Sequence, residues 1–162
     1  MGWTIFVILI IFACFSLVVF FGAPYLPTLG KQIPVALGLV DLNPGETLLE
    51  LGCGDGSVLI AAAQRGWKAV GYELNPLLVL VSWLRTRRYR RQVKIHWGNF
   101  WTAKWPDADG IFVFLLPKYM AKLDKKVMQS ARRPVKLVSF AFTIPGKATV
   151  KERGSVYLYE YR

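Results

Sequence analysis

The sequence predicts an α/β fold in which a mixed sheet of seven strands follows one apolar transmembrane helix. Three observations indicate this fold: an uncharged apolar stretch near the amino terminus, a glycine-rich turn after an apolar strand, and an alternation of strands with helices that ends in a hairpin. Strands joined through helices pair in parallel. We therefore expect five parallel strands followed by a carboxyl-terminal antiparallel hairpin.

The first predicted element is the apolar segment from Trp3 to Phe21, which contains no charged residue. As a helix it would cover about 30 Å at about 1.5 Å per residue, which matches the hydrocarbon core of a bilayer. The segment lacks the positively charged start and the small-residue cleavage site of a secretory signal peptide. These features predict an uncleaved membrane anchor at residues 1–23.

The anchor is followed by two predicted regions. Residues 24–42 are predicted as a linker or elbow, rich in proline and glycine, that leads into a short helix, and residues 43–162 as the globular domain. All 21 Lys and Arg residues come after the apolar segment, so the positive-inside tendency places the domain on the cytoplasmic side. The amino terminus has no arginine-rich transit peptide, which favours a bacterial or archaeal plasma membrane over the mitochondrial inner membrane.

The elements of the globular domain follow from hydrophobic period and from the turn residues between apolar runs. The predicted elements after the helix Ile33–Leu42 are the strand Thr47–Leu51, the helix Ser57–Arg65, the strand Lys68–Glu73, a helix from Pro76 to about Arg91, and the strands Val93–Trp97, Gly110–Leu116 and Val135–Phe142. Gly154 marks the turn of the closing hairpin, with strands at 147–151 and 155–161. No helix fits between the fifth and sixth strands.

The glycine-rich turn after the first strand is the strongest indication of function. Gly52, Gly54 and Gly56 alternate in it, which leaves a serine in the third-glycine place of a dinucleotide-binding loop. Glu50 and Asp55 make the turn acidic. Carboxylates repel a pyrophosphate but attract a sulfonium and an ammonium group. The turn therefore predicts S-adenosylmethionine as the cofactor.

The net charge of +11 is most concentrated at Arg85–Arg91, where the helix from Pro76 is predicted to end. Cations stabilise a helix carboxyl end, and a basic surface beside a membrane attracts anionic lipid head groups. A nucleic-acid partner is disfavoured because the sequence contains no recognisable nucleic-acid-binding module. Cys14 and Cys53 are interpreted as free thiols, and no metal site is predicted.

Several motifs together resemble the membrane-anchored lysine methyltransferases, a family whose members modify the ATP synthase c-subunit and the adenine nucleotide translocase. The motifs are GAPYLPT at 22–28, LGCGDGS at 51–57, IAAA at 60–63, AVGYELNP at 69–76 and GNFW at 98–101. The resemblance extends from the apolar segment to about Pro145, and it departs at Leu77 and Leu78, where the family pattern would have an aromatic residue. It implies a Rossmann-like class I methyltransferase fold and an enzyme that methylates a lysine of a membrane protein by in-line transfer from S-adenosylmethionine.

The resemblance and the strand positions together assign roles to individual residues. The expected cofactor-binding residues are Glu50, Gly52, Gly54, Asp55, Gly56, Glu73, Leu74, Asn99 and Phe100. Glu73 ends the second strand, where an acid accepts the ribose hydroxyls, while Leu74 packs on the adenine and Asn99 receives its amino group. The candidates for the lysine channel are Tyr25, Thr28, Leu116, Pro117 and Tyr119. No catalytic residue is assigned, because methyl transfer needs alignment and charge placement but no nucleophile.

Two functions from other classes stay open at the level of the sequence. An anchored enzyme also meets lipids and quinones, so a methyltransferase for such a molecule is one alternative. A membrane-tethered module that binds the cofactor without catalysis is the other. The elbow motif argues against the first, and the intact acids Glu50, Asp55 and Glu73 argue against the second.

Overall fold

The computed structural model describes residues 2–6, 30–132 and 134–162. The strands are β1 Thr47–Leu51, β2 Lys68–Glu73, β3 Val93–Trp97, β4 Gly110–Val113, β5 Val135–Phe140, β6 Lys151–Arg153 and β7 Val156–Tyr161. The helices are α1 Gln32–Val40, α2 Ser57–Gln64, α3 Pro76–Thr86 and α4 Pro117–Ser130, with a 3-10 turn at Arg87–Tyr89. The seven strands form one sheet in the order β3-β2-β1-β4-β5-β7-β6.

Strand direction follows from how the chain returns to the sheet. The first five strands pair in parallel, whereas β7 pairs antiparallel with both β5 and β6. A two-residue turn at Gly154 and Ser155 joins β6 to β7, with Arg153 opposite Val156. The prediction of five parallel strands and a closing hairpin is confirmed, and no helix lies between β5 and β6 in the described chain.

The sheet separates two apolar cores. Helices α1 and α2 cover one face, and α4 covers the other. The central strand β4 contributes to both cores, because Phe112 packs with the first while Ile111 and Val113 pack with the second. Alternate residues of a strand point to opposite faces, so burial on both sides explains why β4 is wholly apolar.

Two strands are shorter than predicted. β4 ends at Val113, which lies opposite Leu51, the last residue of β1, and opposite Ser139 of β5, and neither ladder continues past it. β5 ends at Phe140, because Ala141 has a positive φ of 70° that turns the chain out of the sheet. In both cases the apolar run continues beyond the end of the strand. Hydrophobicity alone therefore overestimates the length of the strand.

Two other element bounds differ from the prediction by more than two residues, and one helix was missed. α3 ends at Thr86, and the arginine-rich stretch after it forms a 3-10 turn, a common ending where the last helical turn tightens. The first hairpin strand begins at Lys151 and not at Lys147, whose N donates to Ile144 O at 3.3 Å in a turn. α4 was not predicted as an element, although Pro117 at its first turn is a helix-start signal.

The predicted anchor at residues 1–23 and the elbow at 24–29 lie almost entirely outside the described residues. Residues 2–6 are helical. Across the ranges that are described, no helix combines the length and apolar character needed to cross a bilayer. The division into residues 1–23, 24–42 and 43–162 stays a prediction.

Candidate functional site

The candidate site lies where the parallel strands β1, β2 and β3 end side by side. Leu51 is opposite Tyr72 and Tyr72 is opposite His96, so the loops that follow the three strands meet at one edge of the sheet. β1 also borders β4, and the chain leaves these two strands toward opposite faces. Open α/β sheets bind their ligands in the crevice at such a point.

The glycine-rich turn needs glycine at Gly52 and Gly56 for two different reasons. Both have positive φ angles, 89° and 79°. A side chain at Gly52 would extend into open space above the strand ends, whereas one at Gly56 would lie 2.4 Å from Ser82 Oγ of α3. Gly52 therefore leaves room for a ligand, and Gly56 allows α3 to pack against the start of α2.

Glu73 fixes the turn from the neighbouring strand. Its buried carboxylate accepts a hydrogen bond from Gly54 N at 2.9 Å through one oxygen. The other oxygen accepts from Leu74 N at 2.9 Å and from Asn75 N at 2.8 Å. A carboxylate offers about four acceptor positions, so Glu73 keeps capacity for a further donor.

Glu50 is the second buried carboxylate of the site. Only 4% of the residue is exposed, and its Oε2 has no hydrogen-bond partner among the described residues. Burial raises the pKa of Glu50 well above its ordinary value, and the negative charges of Asp55 and Glu73 raise it further. An ionised Glu50 is therefore costly unless a cation lies beside it.

Asp55 is satisfied within the chain. It forms an ion pair with Arg85 of α3, and its Oδ1 accepts from Ser57 N at 3.1 Å. Partial burial opposes ionisation, but the hydrogen bonds from Ser57 and the charge of Arg85 outweigh it and lower the pKa of Asp55. The charge of Asp55 is thus matched by Arg85, and its predicted role beside a cofactor stays a prediction.

Two loops at the β2 and β3 ends form the side of the site predicted to hold adenine. Trp97 Nε1 donates to Leu74 O at 3.0 Å and ties the loops together. Asn99 Oδ1 accepts from Trp101 N at 2.9 Å, which closes a turn that places the Phe100 and Trp101 rings 4.7 Å apart. The structure therefore brings Leu74, Asn99 and Phe100 to the edge where Glu73 ends β2.

Of the residues predicted to line the lysine channel, the structure describes the three that follow β4. Leu116 is the cap residue of α4, Pro117 is its first residue, and half-buried Tyr119 lies with its ring centre 6.0 Å from that of Trp101. Tyr25 and Thr28 lie outside the described residues.

An aromatic cluster at the ends of β4 and β5 was missed by sequence reasoning. The ring centre of Phe114 lies 4.8 Å from that of Phe140 and 6.4 Å from that of Phe142. Both strands end in an F-x-F pattern, and this repetition is the signal that could have identified the cluster.

The remaining chemistry-bearing side chains serve packing. The single histidine, His96, stacks on Tyr72 with ring centres 5.1 Å apart. Cys53 is a buried free thiol whose pKa is raised by burial and by the charges of Glu50 and Glu73. Within the part of the chain that is described, no group of three or more His, Cys, Asp or Glu side chains could hold a metal ion.

The crevice, the acidic glycine-rich turn and the adjoining acid at the end of β2 have counterparts among known proteins. The model of the ANTKMT methyltransferase domain matches residues 50–151, which include every described residue of this site. The chain belongs to the ANTKMT methyltransferase domain family.

The relatives that match three quarters or more of this family member are named lysine methyltransferases. The chain is 30% identical to a protein-lysine N-methyltransferase of Saccharolobus islandicus over 148 residues, which are 84% of this chain and 92% of that protein. It is 32% identical to the lysine N-methyltransferase of Homo sapiens that is named for the ATP synthase c-subunit, over 126 residues, 75% of this chain and 53% of the human protein. The chain thus spans about half the length of the human relative.

A solved structure shares the fold of this ANTKMT-family chain. It is the crystal structure of an RNA methyltransferase from Salinibacter ruber in complex with S-adenosyl-L-homocysteine, with a TM-score of 0.76 and 25% identity over 84% of this chain and 92% of that one. The predictions of a class I methyltransferase fold, and of S-adenosylmethionine as the cofactor of that fold, are confirmed. The roles of individual site residues stay predictions.

Proposed function

We propose that this protein is an S-adenosylmethionine-dependent methyltransferase that modifies a lysine side chain of a membrane protein. The observation that carries the proposal is the unpartnered carboxylate oxygen of Glu50 beneath the glycine-rich turn. A buried acid of this kind ionises readily only beside a cationic ligand, and S-adenosylmethionine carries both a sulfonium and an ammonium group. Family membership supports the same cofactor.

The residues present fit this cofactor. Glu50 would face its positive charge, Gly52 would admit it where a side chain would obstruct, and the spare capacity of Glu73 would accept the ribose hydroxyls. Leu74, Asn99 and Phe100 would hold the adenine at the neighbouring loops. When bound, S-adenosylmethionine supplies a methyl group on a positively charged sulfur.

The chain's part in catalysis is to align and dehydrate the attacking amine. A lysine attacks only when neutral, and at pH 7 the neutral form costs about 4.6 kcal/mol for a pKa near 10.4. An apolar environment lowers this cost because desolvation disfavours the ammonium form. Leu116, Pro117 and Tyr119, together with Phe114 and Phe142, supply apolar and aromatic surface next to β4 and β5.

A protein lysine is favoured as acceptor because the relatives that match most of this chain are named lysine methyltransferases, whereas an rRNA uracil methyltransferase matches only 36% of it. The Saccharolobus relative supports this most directly, since the match covers 92% of its length. The human relative is named for the c-subunit of ATP synthase, which favours a membrane protein as the substrate. The alternatives are a lipid or quinone acceptor, an RNA acceptor, and cofactor binding without catalysis.

The membrane placement rests on the sequence of residues 1–23. Their uncharged apolar run fits one bilayer crossing, with the domain on the cytoplasmic side of a bacterial or archaeal plasma membrane. The arginines at 85–91 would then lie near anionic head groups. A mitochondrial inner membrane is the alternative location.

The test is to incubate the full chain with methyl-labelled S-adenosylmethionine and membranes, and then to locate the label. We expect label in protein, recovered as methyl-lysine after hydrolysis. Label in the lipid extract or in RNA would contradict the lysine acceptor. Bound cofactor without any transfer would favour the binding module.

Matched variants separate the proposed site from the rest of the surface. Glu50→Gln should lose most of the transfer, while Glu152→Gln, an exposed glutamate of β6, should keep it. Equal activity of the two variants would remove Glu50 from the site.

A further inference from the structure

Helix α3 has an inverted pattern of burial: it buries polar side chains and exposes apolar ones, the reverse of an ordinary surface helix. Its buried residues include Ser82 and Thr86, which have small polar side chains. Its exposed residues are large and apolar, with Leu80 53% and Trp83 61% exposed, and Val81 and Leu84 also exposed. A helix that meets only water places its polar residues outward and its apolar residues inward. The outer face of α3 is therefore built for an apolar environment.

The apolar face continues directly into a basic one. Leu80 and Leu84 are one helical turn apart, and Arg87 and Arg88 follow at the next turn on the same side. These two arginines are exposed, as are Arg90 and Arg91.

The basic character extends over a longer stretch of chain. Residues 74–106 contain no Asp or Glu, while they contain five Arg and two Lys. The surface around α3 is thus apolar at its centre and positively charged at its end.

The position of α3 relates this face to the apolar segment of the sequence. α2 packs against both α1 and α3, so the three helices form one layer on the same side of the sheet. α1 begins at Gln32, shortly after the apolar segment that ends at Phe21. Helix α1, the first described helix after that segment, thus lies on the same side of the sheet as α3.

We propose that the exposed face of α3, with the arginines at 87–91, docks on an anionic phospholipid bilayer. Leu80, Val81 and Leu84 would enter the boundary between head groups and acyl chains, and the arginines would contact the phosphates. Trp83 suits the same depth, because its ring is apolar and its N–H is polar. An RNA ligand would use the arginines but would leave the aliphatic side chains in water. This inference deepens the proposed membrane placement and rests on that placement, not on methyl transfer.

The test uses a fluorescent label on Leu84→Cys in the full chain, with Cys14→Ser to remove the other reactive thiol, since Cys53 is buried. The matched control carries the label on Gln129→Cys, an exposed position of α4 on the opposite face of the sheet. Each protein is added to vesicles of phosphatidylcholine with phosphatidylglycerol, and to vesicles of phosphatidylcholine alone. Lipid-borne nitroxides then report insertion, and acrylamide reports exposure to water.

We expect nitroxide quenching and protection from acrylamide at position 84 in the phosphatidylglycerol vesicles, and neither at position 129. Changing Arg87 and Arg88 together to glutamine should weaken docking about 30-fold, at about 1 kcal/mol per residue. Equal exposure of positions 84 and 129 on these vesicles would overturn the proposal. So would protection of position 84 without vesicles, which would mean that another segment or a second copy covers the face, or protection by RNA alone. Because no methyl group is transferred in this measurement, its failure would leave the proposed enzyme activity intact.

Discussion

Glu50 and Glu73 are neighbouring buried carboxylates that differ in how well they are satisfied. Glu73 accepts three backbone hydrogen bonds, whereas Glu50 keeps an unpartnered oxygen among the described residues and has a raised pKa. In the candidate site one acid therefore maintains the loop geometry, and the other keeps the free acceptor that the proposed cationic ligand requires.

Replacing Glu50 with glutamine should weaken cofactor binding and stabilise the ligand-free protein. We expect affinity for S-adenosylhomocysteine to fall about 10- to 100-fold, because a hydrogen bond to a charged group contributes about 1.5–3 kcal/mol. The raised pKa means that the folded state binds a proton more tightly than the unfolded state. Stability of the wild type should then fall as pH rises from the ordinary glutamate pKa through the raised one.

Calorimetric titration and urea unfolding at several pH values measure these two effects. Glu50→Gln should lose the fall in stability over that pH range, and the exposed Glu152→Gln should retain it. A Glu50→Gln protein with unchanged affinity and unchanged pH dependence would contradict the assignment.

Gly56→Ala should destabilise the protein by about 2–5 kcal/mol. The positive φ costs about 1–2 kcal/mol for a residue with a side chain, and overpacking against Ser82 adds about 1–3 kcal/mol. Gly45→Ala is the matched control, since Gly45 has a φ of 86° with nothing within 4 Å of the added carbon. In urea unfolding, Gly45→Ala should lose only the about 1–2 kcal/mol that comes from the positive φ. Ser82→Ala should recover part of the loss in the Gly56→Ala background but not in the Gly45→Ala background.

The sequence located the acids of the site but not their partners. Glu50 and Glu73 were predictable because each occupies a strand end beside a glycine or helix signal. The pairing of Asp55 with Arg85 was not predictable, since it depends on how α3 packs against the turn. The local sequence pattern therefore predicts where an acid of the site lies, whereas tertiary packing decides whether that acid has a cationic partner.

At the scale of elements, β7 is attached to α4 through one acid. Tyr161 Oη donates to Asp124 Oδ1 at 2.7 Å, and Lys147 Nζ lies 3.1 Å from the same oxygen. The hairpin is thereby held against the helix that packs on the second core.

Tyr161→Phe should lower the free energy of unfolding by about 1.5–3 kcal/mol, the contribution of a hydrogen bond to a charged group. Tyr157→Phe in the same strand is the control and should change it by less than about 0.5 kcal/mol. Urea unfolding checks both values. Equal losses in the two variants would mean that ring packing, not the bond to Asp124, holds the strand.

Element bounds were predictable where a turn residue coincides with the end of the hydrophobic run. β1, β2 and β3 have the predicted bounds, because glycine, acid and aromatic residues mark their ends. β4 and β5 were overestimated, since Phe114 and Phe142 extend the apolar runs into the aromatic cluster. The residues of this aromatic cluster thus imitate strand residues in the sequence.

At the scale of the whole molecule, the candidate cofactor residues all belong to the half of the sheet formed by β1, β2 and β3. The hairpin of β6 and β7 lies at the opposite edge. A ligand in the crevice would therefore order one half of the molecule and leave the other unchanged.

Hydrogen exchange with and without S-adenosylhomocysteine should show this asymmetry. We expect slower exchange at residues 52–57, 73–78 and 98–101, with no change at 151–161, because binding stabilises the segments that contact the ligand. The hairpin serves as the internal control. Protection spread evenly over both halves would place the ligand elsewhere or indicate a global change.

The arrangement of the whole sheet could be predicted from the sequence only in part. Alternation and the Gly154 turn predicted the number and direction of the strands, and the family resemblance implied a Rossmann-like fold, but the order of the strands in the sheet comes from the structure. The inverted character of α3 was not predicted, because the sequence pattern does not show which side of this helix faces out, and only the burial of Ser82 and Thr86 reveals it.

The position of Cys53 has a consequence for oxidation. The residue belongs to the glycine-rich turn, yet its sulfur occupies space that a side chain at Gly71 would need, 2.7 Å from the added carbon. A buried thiol with a raised pKa forms little thiolate, so peroxide and alkylating reagents should reach it only when the core opens. The rate of Cys53 alkylation would then measure how often the loop and β2 separate, and a bound cofactor should slow it.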